Sequence, residues 1–343
     1  MKIQQIVFTE LHKAELLSKE AELLPGQVCV KTVFSTISSG TERAHITGDL
    51  NTSLKGPQEV AVFPRTAGYS SSGIVTAVGE GVTHVVPGDR VVVFLGAHKD
   101  YNTVPAHKIV KIEDDRISFE EAAVSFIATF PLAAVRKTRL EVGESMLIMG
   151  LGLLGQLAVQ LARAAGAVPV IAADPVESRR EEALKNGADY ALDPFDPDFA
   201  KKVKELTNGG ANTAVEVTGS GAALDTCLDC MAKMGRVALL GCTRDKNFTI
   251  DYYRKVHGPG ISLIGAHTAA RPDHESYPGH FTHRDDILSV LKLCAAKRID
   301  IKRMCGVYYS PADCQKAFDG LIYDKNFPIV VQFDWRKLDA LSE

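Results

Sequence analysis

The chain has 343 residues, 45% of them apolar and 24% charged, with a net charge of −3. That composition suits a soluble globular protein of about two domains and excludes a disordered or fibrous one. No lysine or arginine block gives a footprint for nucleic acid or an anionic membrane surface, and no apolar run approaches the roughly 18 residues of a spanning helix, so neither partner is expected. The N-terminal stretch carries Lys2, Glu10, His12 and Lys13 and lacks the apolar region of a secretory leader. Cys29, Cys227, Cys230, Cys242, Cys294, Cys305 and Cys314 lie scattered in apolar segments and read as reduced core thiols, which points to a cytoplasmic protein. The Cys227–Cys230 pair has no second CxxC to complete a zinc tetrahedron and no strand before it for a redox site.

Through residue 117 the sequence is rich in β-formers. VCVKTVFSTIS, SSGIVTAVG, RVVVFLG and NTVPAHKIVKI read as strands separated by PG, GEG and PGD turns. At residue 118 the rhythm changes: Ser118 with Glu121 is a capping box opening a helix, SFEEAAVSFIATF, that Pro131 is expected to break or kink. From Glu144 apolar runs alternate with helical patterns: SMLIMG, LLGQLAVQLARAAG, VPVIAAD, ESRREEALKNG, DYALD, FAKKVKELTNG, TAVEVTG, AALDTCLDCMAKMG, RVALLG and ISLIGA. This is the sequence form of a doubly wound parallel sheet of six strands ending near residue 268. A polar loop, two helices and a strand, PIVVQF, then make a C-terminal return over 269–343, too poor in apolar residues to fold alone.

Gly150, Gly152 and Gly155 in GLGLLG follow the strand SMLIM and open a helix at Leu153 and Leu154. The glycines permit a tight turn, close approach to a pyrophosphate and close helix-to-strand packing, while the helix start offers unpaired N–H groups to phosphate. The next strand, VPVIAAD, ends in Asp174, placed to accept hydrogen bonds from a ribose and to repel a 2′-phosphate, which favours NAD over NADP. Thr218, near the end of TAVEVTG, is counted with the cofactor contacts. Arg179 and Arg180 lie close downstream, where they either pair a 2′-phosphate or are solvated first-turn residues of the next helix, and Arg179 is counted with the cofactor contacts.

The order of parts, with PGDRV at 87–91 and GLGLLG at its distance, resembles the medium-chain dehydrogenase/reductase superfamily over essentially the whole chain. The resemblance implies an α/β protein: a GroES-like β-rich catalytic domain over 1–117, a Rossmann doubly wound sheet over 118–268 and the return completing the catalytic domain. Zinc members of the superfamily carry Cys-Gly-Ser/Thr-Asp and Gly-His-Glu motifs and a four-cysteine lobe. Here Ser39-Gly40-Thr41-Glu42 and Gly68-Tyr69-Ser70 stand in the motif positions, and AHKDYNTVPA carries no cysteine. The pattern resembles the zinc-ligand-lacking branch similar to the bacteriochlorophyllide hydroxyethyl dehydrogenases, which implies oxidation of a secondary alcohol or reduction of a ketone; with Asp174 and the missing ligands, the expectation is an NAD-dependent oxidoreductase without the usual catalytic zinc.

Without zinc a side chain must take the hydroxyl proton. His98, just past the strand RVVVFL, is the candidate acid/base. Glu42 matches the motif acid, Thr41 matches a proton-relaying hydroxyl or caps the helix ERAHITG, and Tyr69 occupies the slot of a ligand imidazole. Ser39 and Ser70 read as polar space-fillers. Thr129 in FIATF matches a threonine beside the nicotinamide or is satisfied by its own helix. Glu42, His45 and His98 are the minority alternative for a metal, and His267, His274, His280 and His283 have no tight ligand spacing and read as a pocket-rim loop. RVALLG and GISLIGA are expected to provide a sheet edge that pairs in a homodimer. An alkene reductase of the quinone oxidoreductase type and a non-catalytic nucleotide sensor are the competing readings.

Overall fold

The computed structural model describes residues 1–52, 56, 58–243 and 247–339. They pack as two units: the described residues of 1–127, 287–295 and 301–339 form the first, and those of 128–286 and 296–300 the second.

The second unit is built on a parallel sheet whose spatial order is Tyr190–Leu192, Val170–Ala173, Met146–Met149, Ala211–Glu216, Met231–Leu239, Ser262–Gly265. Every pairing in it is parallel. Met146–Met149 and Val170–Ala173 are buried at every position, as strands covered on both faces must be. The strand order reverses between Met146–Met149 and Ala211–Glu216, and ligands of such sheets bind beyond the carboxyl ends of the strands at this reversal. This is the Rossmann arrangement expected from the alternating apolar runs. The helix Leu153–Ala164 lies so close behind its strand that a Cβ on Gly155 would stand 1.9 Å from the Gly150 carbonyl oxygen, whereas one on Gly152 would meet nothing within 4 Å.

The first unit carries a sheet in the order Val307–Tyr309, Val331–Asp334, Gln27–Thr36, Ser70–Val78, Arg90–Phe94, Ile109–Lys111, with Tyr101–Pro105 also paired to Gln27–Thr36. The tail strand Val331–Asp334 joins by antiparallel pairing to Gln27–Thr36. A second sheet adds the hairpin Lys2–Glu10 and Lys13–Glu20 with Arg65–Thr66. Among the described residues no helix is long and apolar enough to cross a membrane.

Several sequence expectations are corrected. NTVPAHKIVKI is two strands, because a short 3-10 turn, Ala106–Lys108, follows Pro105. The helix expected through AALDTCLDCMAKMG ends at Asp229: Met231 already pairs with Ala211, and Met234 at φ +61 makes an irregularity that the helical periodicity of this segment masks. The capping box forms, with Glu121 Oε2 accepting the Ser118 N–H at 2.9 Å, but the helix Phe119–Lys137 runs on through Pro131. Residues 269–286, read as the start of the return, pack with the second unit. Arg271 reaches the Asp286 carboxylate at 3.0 Å and the Thr129 carbonyl at 3.3 Å, and Lys137 donates to the Gly265 carbonyl at 2.9 Å.

Gly155→Ala is expected to cost about 1–3 kcal/mol of stability, since a backbone oxygen must move to admit the methyl. Gly152→Ala should stay within about 0.5 kcal/mol of the parent protein. Urea unfolding of both variants checks the pair.

Candidate active site

In the first unit the candidate residues converge on a buried hydrogen-bonded array. Glu42 belongs to the helix Ser39–Ile46, and its Oε1 accepts the Ser38 N–H at 2.8 Å, closing the helix start. Its Oε2 lies 3.0 Å from His98 Nε2, and His98 Nδ1 lies 2.8 Å from Ser35 Oγ. Trp335 donates its indole N–H to the same Ser35 oxygen at 2.8 Å. Indole only donates, so Ser35 accepts from Trp335 and keeps its own hydrogen free for Nδ1, an arrangement that matches an Nε2–H facing the Glu42 carboxylate. All three are sealed: His98, Glu42 and Ser35 are each 0% exposed. Gly68 makes room for the ring. It has φ +80, and a Cβ there would lie 2.5 Å from His98 Cγ.

This placement corrects the reading of His98 as a loop histidine meeting substrate. Both its nitrogens are engaged inside the core, so it acts on its surroundings only through Glu42 and Ser35. The half-buried group next to the array is Tyr69, whose hydroxyl donates to Ser38 Oγ and whose ring packs edge-on against Phe126 at 5.7 Å. Thr41 does not cap its helix; the N-cap is Ser38, and Thr41 sits half-buried in the first turn. Ser38, Ser35 and Trp335 are members of the array that sequence reasoning missed. Trp335 lies 300 residues from Ser35, and no local pattern announces such a contact.

The donor set does not fit a zinc ion. Ser39, Tyr69 and Ser70 supply hydroxyls, and those of Tyr69 and Ser70 are given to Ser38 and to the Ala123 carbonyl. Zinc takes thiolate, imidazole and carboxylate. The alternative trio is not assembled either: Glu42 and His98 face each other, while His45 Nε2 accepts from Arg65 at 2.7 Å. Among the described residues no three His, Cys, Asp or Glu side chains are grouped to hold a metal. The histidines of the 267–283 segment have separate environments. His280 and Tyr277 bracket a turn with rings 4.9 Å apart, His267 Nδ1 accepts the Ala269 N–H at 3.1 Å, and burial beside Arg271 pushes His283 down to about 3.

In the second unit Gly150 turns the chain at φ +95, and the first intrahelical bond runs from Gln156 N–H to Gly152 O at 2.9 Å. The N–H groups of Leu153 and Leu154 therefore precede the helical ladder, beside the open space at Gly152. These features fit a pyrophosphate. Asp174 is 4% exposed; its Oδ2 accepts the Leu151 N–H at 2.8 Å and its Oδ1 the Val176 N–H at 2.9 Å, so it also ties the glycine loop to the end of the second strand. Arg179 stands 3.7 Å from the same carboxylate, and Arg180 instead donates to the Asp174 carbonyl at 2.8 Å. Thr218 packs on Gly150. Thr129 is wholly buried within its helix. Cys227 is fully enclosed with its thiol raised well above 9, and burial raises Cys230 to about 12, so neither is a nucleophile.

Replacing His98 by Ala leaves the buried Glu42 carboxyl without its imidazole partner and opens a cavity beneath Gly68. The expected cost is about 3–5 kcal/mol, read as a lowered urea midpoint; an unchanged midpoint would contradict the array.

Two family models match the chain: the alcohol dehydrogenase GroES-like domain over residues 25–114 and the zinc-binding dehydrogenase domain over 154–280. L-threonine 3-dehydrogenase of Pyrococcus horikoshii is 30% identical over 278 residues, covering 70% of this chain and 75% of that protein. D-guloside 3-dehydrogenase of Escherichia coli is 30% identical over 209 residues, covering 60% of this chain and 59% of its own. Among solved structures, 2R,3R-butanediol dehydrogenase of Bacillus subtilis shares the fold with a TM-score of 0.79 at 23% identity, over 97% of this chain and 99% of that one. The chain belongs to the medium-chain dehydrogenase/reductase superfamily and is an alcohol dehydrogenase/reductase of this NAD(P)-dependent group.

Proposed function

We propose that this enzyme transfers hydride between NAD(H) and a polar secondary alcohol or ketone, of polyol or sugar-derivative type, with side chains in place of zinc. The observation that carries the reading is the Tyr69 hydroxyl, hydrogen-bonded to Ser38 in the motif position where a metal ligand would stand and backed by the sealed Glu42–His98 pair. The names of the relatives, a threonine and a guloside dehydrogenase, support a polar substrate.

Bound at the GLGLLG loop, the dinucleotide supplies the hydride acceptor. Tyr69 Oη receives the substrate hydroxyl proton while its own passes to Ser38 Oγ along the existing hydrogen bond, and Ser38 releases one to solvent. Glu42 and His98 hold the helix start, and therefore Ser38, in place. Tyr69→Phe is expected to lower kcat by roughly 10²–10⁴ with NAD affinity unchanged. Chelator-treated enzyme free of zinc by elemental analysis should keep its activity; stoichiometric zinc whose removal abolishes turnover would overturn the metal-free reading.

For the cofactor, Asp174 supports NAD: its carboxylate has lone pairs left for ribose hydroxyls and repels a 2′-phosphate. Asp174→Ala should cost about 1–3 kcal/mol of NAD binding by calorimetry, and equal or better turnover with NADP would count against the preference.

The assembly we infer is a homodimer built on the strand Ser262–Gly265, the last of its sheet, whose Leu263 is 39% exposed. A strictly monomeric mass by light scattering at micromolar concentration would contradict it.

A further inference from the structure

We propose that Glu216 is a positioning residue of the dinucleotide site, its carboxylate holding the turn 217–219 in the one shape against which Gly150 and the glycine loop are fitted. The inference deepens the function proposed above and rests on its reading of GLGLLG as the dinucleotide loop.

Glu216 closes the strand Ala211–Glu216, which neighbours Met146–Met149 at the reversal of strand order. The side chain is buried, 3% exposed, and no cation pairs with it among the described residues. Its acceptors are used instead by the chain that follows. Oε1 accepts the Thr218 N–H at 2.7 Å and also the Thr218 hydroxyl, and Oε2 accepts the Gly219 N–H at 3.1 Å. Thr218 Oγ accepts in turn from the Ser220 N–H at 3.0 Å. The threonine rotamer is thereby fixed, and its methyl lies against the glycine loop: a Cβ on Gly150 would be 2.8 Å from Thr218 Cγ2.

The turn is wedged from the other side as well. A Cβ on Gly241 would stand 2.2 Å from Gly219 N, and one on Gly219, at φ +70, would stand 2.6 Å from the Cys242 carbonyl oxygen. The Glu216 carbonyl accepts the N–H groups of Leu240 at 2.9 Å and Gly241 at 2.8 Å. The ends of the strands Met146–Met149, Ala211–Glu216 and Met231–Leu239 thus meet around a single turn, and Glu216 is the polar group that shapes it.

The chemistry of this contact depends on charge. An ionised carboxylate accepts all three hydrogens, whereas a protonated one turns an acceptor into a donor facing other donors. Protonation therefore loosens the turn and the face it presents to Gly150. Burial raises the Glu216 carboxyl above the ordinary glutamate value, and the hydrogen bonds from Thr218 and Gly219 partly offset it. The titratable group set against it is the Cys227 thiol of the helix Gly221–Asp229, which burial keeps neutral; the flanking strands add no charge that acts on it.

The test is NAD binding to the full chain by calorimetry from about pH 8 down to about pH 5, with thermal unfolding as the folding control. The parent protein is expected to lose roughly ten-fold in affinity as Glu216 takes up a proton, and E216Q to be weaker by a similar factor at high pH and to lack this step. T218V removes a donor that favours the carboxylate, so the step should move to higher pH, a change that a purely structural role does not produce. An E216Q profile that matches the parent protein, or a T218V step that does not move, overturns the inference; should E216Q fail to fold, T218V decides alone. A parent protein that binds neither NAD nor NADP at any pH overturns the dinucleotide reading and this inference with it, whereas normal parent binding with an unaltered variant overturns this inference only.

Discussion

A carboxylate taken out of water must be given hydrogen-bond donors or charge in return, at a cost of several kcal/mol if it is not. Four buried acids meet this demand at the places where the chain has to be held. Glu42 takes an imidazole and a helix-start N–H; Asp174 takes the N–H groups of Leu151 and Val176; Glu216 takes its own following turn; Asp286 takes Arg271, with Arg136 at 3.1 Å. In each case the acid sits at a helix start or next to a loop. It converts a segment with few apolar contacts into one of fixed geometry. The cores beneath, apolar throughout in the parallel sheet, stabilise the units without specifying how these loops run.

The first unit shows what happens when motif positions that hold a metal in zinc relatives carry hydroxyls. A metal site places several charged or strongly polar groups together, and removing the ligands without refilling the space would leave orphaned polar atoms. Here the buried polar atoms of Glu42, His98 and Ser35 are paired with one another and with Trp335. His98 comes from the bend that follows the strand Arg90–Phe94 and enters over Gly68, which lacks the Cβ that would obstruct it. Trp335 comes from the tail strand's end and completes the Ser35 contact. The array is closed at its buried end by the indole, and Tyr69, bonded to Ser38, is its half-buried neighbour. That polarity is why the function proposed above gives the proton to the tyrosine and a supporting part to the histidine.

Close backbone approach plays the corresponding part in the second unit. Gly150, Gly155, Gly219 and Gly241 each bring main chain nearer to main chain or side chain than a methyl would allow. The result is a turn against a turn, with Glu216 and Asp174 as the polar clamps on either side of the glycine loop. Catalytic and binding loops gain precision from such support, because the scaffold fixes the donors before the ligand arrives.

Much of this protein was legible from local pattern. Alternating apolar runs determined the six-stranded parallel sheet, GLGLLG determined the tight glycine turn from strand to helix, and Ser39, Tyr69 and Ser70 put hydroxyls where the resemblance leads one to expect thiolate, imidazole and carboxylate. Periodicity and local steric rules act over a few residues, so a sequence displays them directly. The end of the helix at Asp229, the interior position of His98 and its contacts to Ser35 and Glu42 were decided by tertiary structure. The roles of Glu216 and Trp335 were decided there too. These depend on which distant segments the fold brings within hydrogen-bond range, and the burial that makes a partner obligatory exists only once the chain has closed around it.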